Sequence, residues 1–115
     1  MIVAVVGSRT FNDWDLLNQT LSDFHAKHSI SKVVSGGARG ADSLAEKWAN
    51  INNIPVVVFP AEWNKYGKRA GMIRNRLIIS ECEHCIAFWD GVSHGTKNDI
   101  DLCQRMNVPY TIVHF

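Results

Sequence analysis

The feature that most restricts this chain is an alternation. Five short aliphatic runs recur along it, and the stretches between them carry apolar residues at helical spacing. The first run, Ile2-Val3-Ala4-Val5-Val6, contains no polar residue, as expected of a strand covered on both faces in a parallel sheet. Lys32-Val33-Val34, Val56-Val57-Val58-Phe59 (also expected to be buried), Cys85-Ile86-Ala87-Phe88-Trp89 and Tyr110 to Val113 supply the others. Trp14, Leu17, Leu21 and Phe24 mark the first helix, with Asn12 or Asp13 as its cap. A second helix runs from about Asp42 to Asn50. Met72, Ile73, Leu77 and Ile78 mark a third, with Ile73 and Leu77 toward the core, and Gly95-Thr96 opens a fourth. Helices two and four end alike, in Asn53-Ile54-Pro55 and Asn107-Val108-Pro109, where Asn accepts a left-handed exit and Pro forbids continuation. The pattern predicts an α/β fold of three layers, α/β/α, around a five-stranded parallel sheet.

The 115 residues read as one domain, 1–115, without a linker or low-complexity stretch. A hydrophobic fraction of 46% and a charged fraction of 20% suit a globular protein. The net charge of +1 carries no signal for nucleic acid or membrane. Three cysteines, an odd number, argue against a disulfide framework and suit a reducing cytoplasm, where the protein is expected. Ile2 to Val6 is too short for a signal or membrane segment.

In parallel α/β sheets, ligands bind beyond the carboxyl ends of the strands, near the point where strand order reverses. Every unusual loop of this chain follows a strand. Gly7-Ser8-Arg9 offers a close-approach glycine, a hydroxyl and a planar cation suited to phosphate, although a surface arginine is also common there. Ser35-Gly36-Gly37-Ala38-Arg39-Gly40-Ala41-Asp42 reads as a glycine-rich turn into a helix, whose amides and dipole would hold an anion by backbone alone. The plainer reading is a tight turn that needs glycine for geometry. Asp42 either caps the helix or accepts from a ribose or base, and Arg39 either joins the site or faces water. Arg74 and Asn75 fall on the first turns of helix three, near the strand edge. Asp90, Gly91, Ser93, Gly95 and Thr96 form a second such turn, with Asp99 one helical turn further, serving either as a favourable charge near the helix start or in the cleft.

Other chemistries find less support. Cys82-Glu83-His84-Cys85 has the spacing of half a zinc site, but no second pair exists, so no metal is expected, and Cys85 and Cys103 read as core. Nothing calls for a cofactor. Ser8, Ser35 and Ser93 lack the nucleophile-elbow pattern. Between Lys65 and Arg76 lie five basic residues and no acid, with Trp63 and Tyr66 nearby: a solvated helix face or a nucleic-acid patch.

Gly7-Ser8-Arg9, Ser35 to Asp42, Gly71-Met72-Ile73-Arg74-Asn75-Arg76, and Ala87-Phe88-Trp89-Asp90-Gly91 with Gly95-Thr96 together resemble the YspA-type branch of the SLOG superfamily. The resemblance runs essentially end to end. It implies a Rossmann-like fold and a nucleotide or nucleotide-derived ligand, bound by a sensor or sequestering module. The LOG enzymes of this superfamily cleave the base from a nucleoside monophosphate, using Pro-Gly-Gly-x-Gly-Thr-x-x-Glu and a separate arginine. Gly95-Thr96-Lys97-Asn98-Asp99 is similar to the second half of that motif, and Arg74 would be the arginine, which makes Arg74 and Asp99 the catalytic candidates of the alternative, N-glycosidase reading. Asp90-Gly91-Val92-Ser93-His94 departs from the first half, and Asp99 is one methylene short of the glutamate. The DprA side of the superfamily implies single-stranded DNA, a further alternative. The neutral chain lacks a strongly basic surface, so the expected partner is a small nucleotide-like molecule and not nucleic acid. So small a sheet leaves apolar helix surface to cover, so a homodimer or higher homo-oligomer is expected.

Overall fold

A computed structural model describes residues 1–115. In chain order it consists of β1 (Ile2–Gly7), α1 (Trp14–His28), β2 (Lys32–Ser35), α2 (Ala41–Ile51), β3 (Val56–Val58), the single turn α3 (Trp63–Tyr66), a 3₁₀ turn (Gly67–Arg69), α4 (Ala70–Glu81), β4 (His84–Trp89), α5 (His94–Arg105) and β5 (Tyr110–His114). The strands form one sheet in the order β3-β2-β1-β4-β5, and every pair is parallel. The fold is the Rossmann-like three-layer α/β/α architecture.

β1 lies at the centre of the sheet, which explains its unbroken aliphatic sequence. Val3 and Val5 point into one core with Leu17, Leu21, Ala45 and Trp48 of α1 and α2, while Ala4 and Val6 point into the other with Ile78 and Ile79 of α4 and Ile100 of α5. No helix is long and apolar enough to cross a membrane.

Local signals set the element ends. Asp13 caps α1, its carboxylate accepting from the Leu16 amide at 3.0 Å. Asn53 and Asn107 take left-handed φ values of 56° and 57° before their X-Pro strands, as the repeated Asn-x-Pro pattern predicts.

Two expectations are corrected. β3 is an edge strand, with Val56 and Val57 half-buried and Val58 exposed, because β2 covers one side only. In α4 the buried residues are Ala70, Asn75, Ile78 and Ile79; of the two expected inward, Ile73 is half-buried and Leu77 is 47% exposed, and Met72 is 55% exposed. Several adjacent apolar residues left the helix phase ambiguous, and packing chose the face that turns Arg74 and Asn75 toward the strand ends.

Candidate functional site

β1 and β4 are neighbours, yet the helices associated with them pack on opposite faces of the sheet, so the loops at their carboxyl ends part. A cleft of ≈ 430 Å³ opens there. The end of β1 contributes Val6 and Gly7, and the turn after it Ser8, Arg9 and Thr10. Ala38 and Asp42 come from the crossover into α2, Arg74, Asn75 and Ile78 from α4, and Asp90, Ser93, Gly95, Thr96 and Asp99 from the crossover into α5. Burial singles this place out. The buried polar or charged residues are Ser8, Ser35, Asp42, Asn75, Thr96 and Asp99, and all but Ser35 line the cleft.

Ser35 and the glycine turn behave otherwise than expected. The Asp42 carboxylate accepts from the amides of Gly36 (3.1 Å) and Ala38 (3.2 Å), and the Gly37 amide donates to the Ser35 hydroxyl. That hydroxyl also bonds to Glu46. Three amides that would have cradled an anion are therefore already taken, and Asp42 ties the turn from the second position of α2 in place of capping it. Close packing sets Gly36 against side-chain tips and Gly40 against backbone. A Cβ at Gly36 would stand 2.6 Å from an Arg74 guanidinium nitrogen and 3.0 Å from Asp42 Oδ2, while Gly40 abuts the carbonyl oxygens of Ser8 and Arg9. Ser35 and Gly40 do not line the cleft, Arg39 faces water, and Gly91 lies exposed outside it. Gly36 and Gly37 line an adjoining depression.

Arg74 is the cation of the interior. Its Nε donates to Asn75 Oδ1 at 2.9 Å and one terminal nitrogen donates to the Gly36 carbonyl at 3.1 Å, so Asn75 positions the guanidinium. Asp99 faces it without a partner. Burial, then the nearby Asp42 charge, pushes the Asp99 carboxyl up to about 8, with Arg74 opposing. Asp42 is raised to about 6 by burial, against the pull of the Ala38 amide and Arg74. Asp90 goes the other way: its Oδ1 accepts from the amides of Val92 (2.9 Å) and Ser93 (2.8 Å), which hold it below its usual range. Ser8 Oγ and Asp99 Oδ1 are buried with no well-formed hydrogen bond, although the Ser8 hydroxyl is near enough to Asp90 to add the smallest of the pulls that lower that carboxyl. At the start of α5 the first amides have no acceptor within their own helix, and Ser93 Oγ sits 3.4 Å from Thr96 Oγ1.

Val6, Thr10, Ala38 and Ile78 line the cleft without having been singled out from sequence. Ala38 lay inside the conspicuous turn, whereas Thr10 and Ile78 carried no local signal.

A family model for YspA, cpYpsA-related SLOG proteins matches residues 1–66. This chain belongs to that SLOG family. The Gene 61 protein of Mycobacterium phage D29 is 34% identical over 117 aligned positions, covering 93% of this chain and 91% of the phage protein. Among solved structures, DNA processing protein A of Helicobacter pylori, described for its single-stranded DNA binding mode, matches with a TM-score of 0.73 at 23% identity over 97% of this chain. DNA processing protein A of Streptococcus pneumoniae matches with a TM-score of 0.79 at 20% identity over 96% of it. The SLOG chain spans 64% and 49% of those two proteins. The expectation that nucleic acid is not a partner is corrected by this likeness. A protein of the same fold binds single-stranded DNA, so near-neutral net charge is no ground for excluding it: a single strand needs only a local basic and aromatic surface.

Proposed function

We propose that the cleft binds a phosphorylated, nucleotide-derived molecule, and that residues 1–115 act as one sensing or sequestering module. The observation that carries this reading is the pair of orphaned polar atoms, Ser8 Oγ and Asp99 Oδ1, buried in a cleft that also holds Arg74. A buried polar atom without a partner is unfavourable by about 1–3 kcal/mol, which a ligand hydroxyl or phosphate oxygen relieves. The exposed Arg9 and the free amides at the α5 start supply anion contacts at the mouth, while Arg74 supplies one inside.

Calorimetric titration of nucleoside 5′-monophosphates against the matching nucleosides tests the reading. The monophosphate is expected to bind at least tenfold tighter, and equal affinities would rule out phosphate recognition. Arg74→Ala is expected to weaken the monophosphate by about 20-fold, as loss of a charged hydrogen bond predicts. Gly95→Glu is the cleaner probe, because a Cβ at Gly95 meets nothing within 4 Å and the fold tolerates it. It places an anion at the cleft mouth and is expected to weaken binding about tenfold or more. Unchanged affinity in this variant would displace the ligand from the α5 start.

The raised Asp99 carboxyl favours binding over LOG-like base release. A largely neutral acid at pH 7 gives little support to an oxocarbenium-like ribosyl group. Hydrolysis therefore predicts free base appearing faster at pH 9 than at pH 7 and vanishing in Asp99→Asn, read by chromatography.

A further inference from the structure

Beside the cleft lies a smaller depression, between the β2–α2 turn and the segment that leads from β3 into α3. Arg9, Ala38 and Arg74 line both, so the two hollows form one continuous surface that shares two arginines where they meet. Gly36 and Gly37 contribute bare backbone to the second hollow, and Pro60, Ala61 and Trp63 complete its lining. Trp63 is out of keeping with the other indoles of the chain. Trp48 is fully buried, and Trp14 and Trp89 are half-buried, yet Trp63 is 55% exposed. Its ring edge rests near Gly71, where even a Cβ would clear it by 3.6 Å. An indole face left in water beside two cations and a side-chain-free floor has the make-up of a stacking platform for a planar ring.

Building on the nucleotide reading above, we infer that this depression is a second subsite, which takes the distal heterocycle of a two-ring ligand whose halves are joined by phosphates. The bridging phosphates lie at the junction, where Arg9 and Arg74 meet them. One base occupies the main cleft and the other stacks on Trp63.

The test titrates the full chain with the four common nucleoside 5′-monophosphates, with the symmetric dinucleotides in which two such nucleosides share a 5′–5′ pyrophosphate, and with a short oligothymidylate. At least one dinucleotide is expected to bind about tenfold tighter than its monophosphate. Trp63→Ala removes that advantage and leaves the monophosphate affinity unchanged, while Trp63→Phe keeps most of it. A dinucleotide no tighter than its monophosphate, or an advantage that survives Trp63→Ala, overturns the subsite while leaving the main cleft intact. Monophosphates and dinucleotides alike failing to bind the wild type defeats the nucleotide reading itself. Preferential, Trp63-dependent binding of the oligothymidylate also overturns the inference, since the occupant would then be a nucleic-acid strand.

Discussion

Asp99→Asn is expected to make this protein more stable at pH 7 by about 4 kcal/mol, an unusual direction for a substitution at a buried polar site. The Asp99 carboxyl is 6% exposed and titrates at about 8 in the fold, against 3.8 for an unperturbed aspartate. Between those two values the folded chain holds a proton that the unfolded chain has released. Stability from this group is therefore full below pH 4 and is lost progressively as pH rises toward 8. Asparagine is nearly isosteric with the neutral acid and has no charge to bury, so it escapes that loss. Urea denaturation of both proteins from pH 4 to pH 8 reads the effect. The curves should nearly coincide at the acid end and diverge steadily above it. A gap that does not change with pH would mean that Asp99 is not held neutral, and with it would go the electrostatic argument against base release.

Gly40→Ala is expected to destabilise the fold by about 4 kcal/mol, enough to threaten folding of a chain this size. Gly40 caps α2 with φ of 81° and ψ of −128°, a conformation that side chains avoid. A Cβ there would also press into the Ser8 and Arg9 carbonyl oxygens, which are backbone atoms and cannot swing aside. The contact holds the turn after β1 against the start of α2, so a partly folded variant should lose ligand binding as well. Thermal unfolding compared with Gly95→Ala, which meets no neighbour, isolates the effect. Similar melting temperatures for the two variants would show that the close approach at Gly40 is not needed. An acidic substitution at Gly40 is for the same reason a poor probe of ligand binding, because it breaks the fold before it repels an anion.

The sequence by itself determined the alternation of five strands with four long helices, the parallel sheet and the rim where the loops gather, although the short turns Trp63–Tyr66 and Gly67–Arg69 fall in a stretch that reads as loop. Those follow from short-range causes: the aliphatic run of β1, the helical period of α1, the Asp13 cap, and the Asn-x-Pro exits at Asn53 and Asn107. Family membership was legible too, because the turns that carry it are contiguous in the chain. Tertiary structure alone decided which way α4 faces, that β3 is an edge, and that Asp42 occupies the amides of the glycine turn. It also decided that Asp42, Arg74 and Asp99, far apart in sequence, share one desolvated cleft. Periodicity and propensity act over a few residues, whereas desolvation and Coulomb forces depend on distances that exist only once the sheet has brought remote segments together.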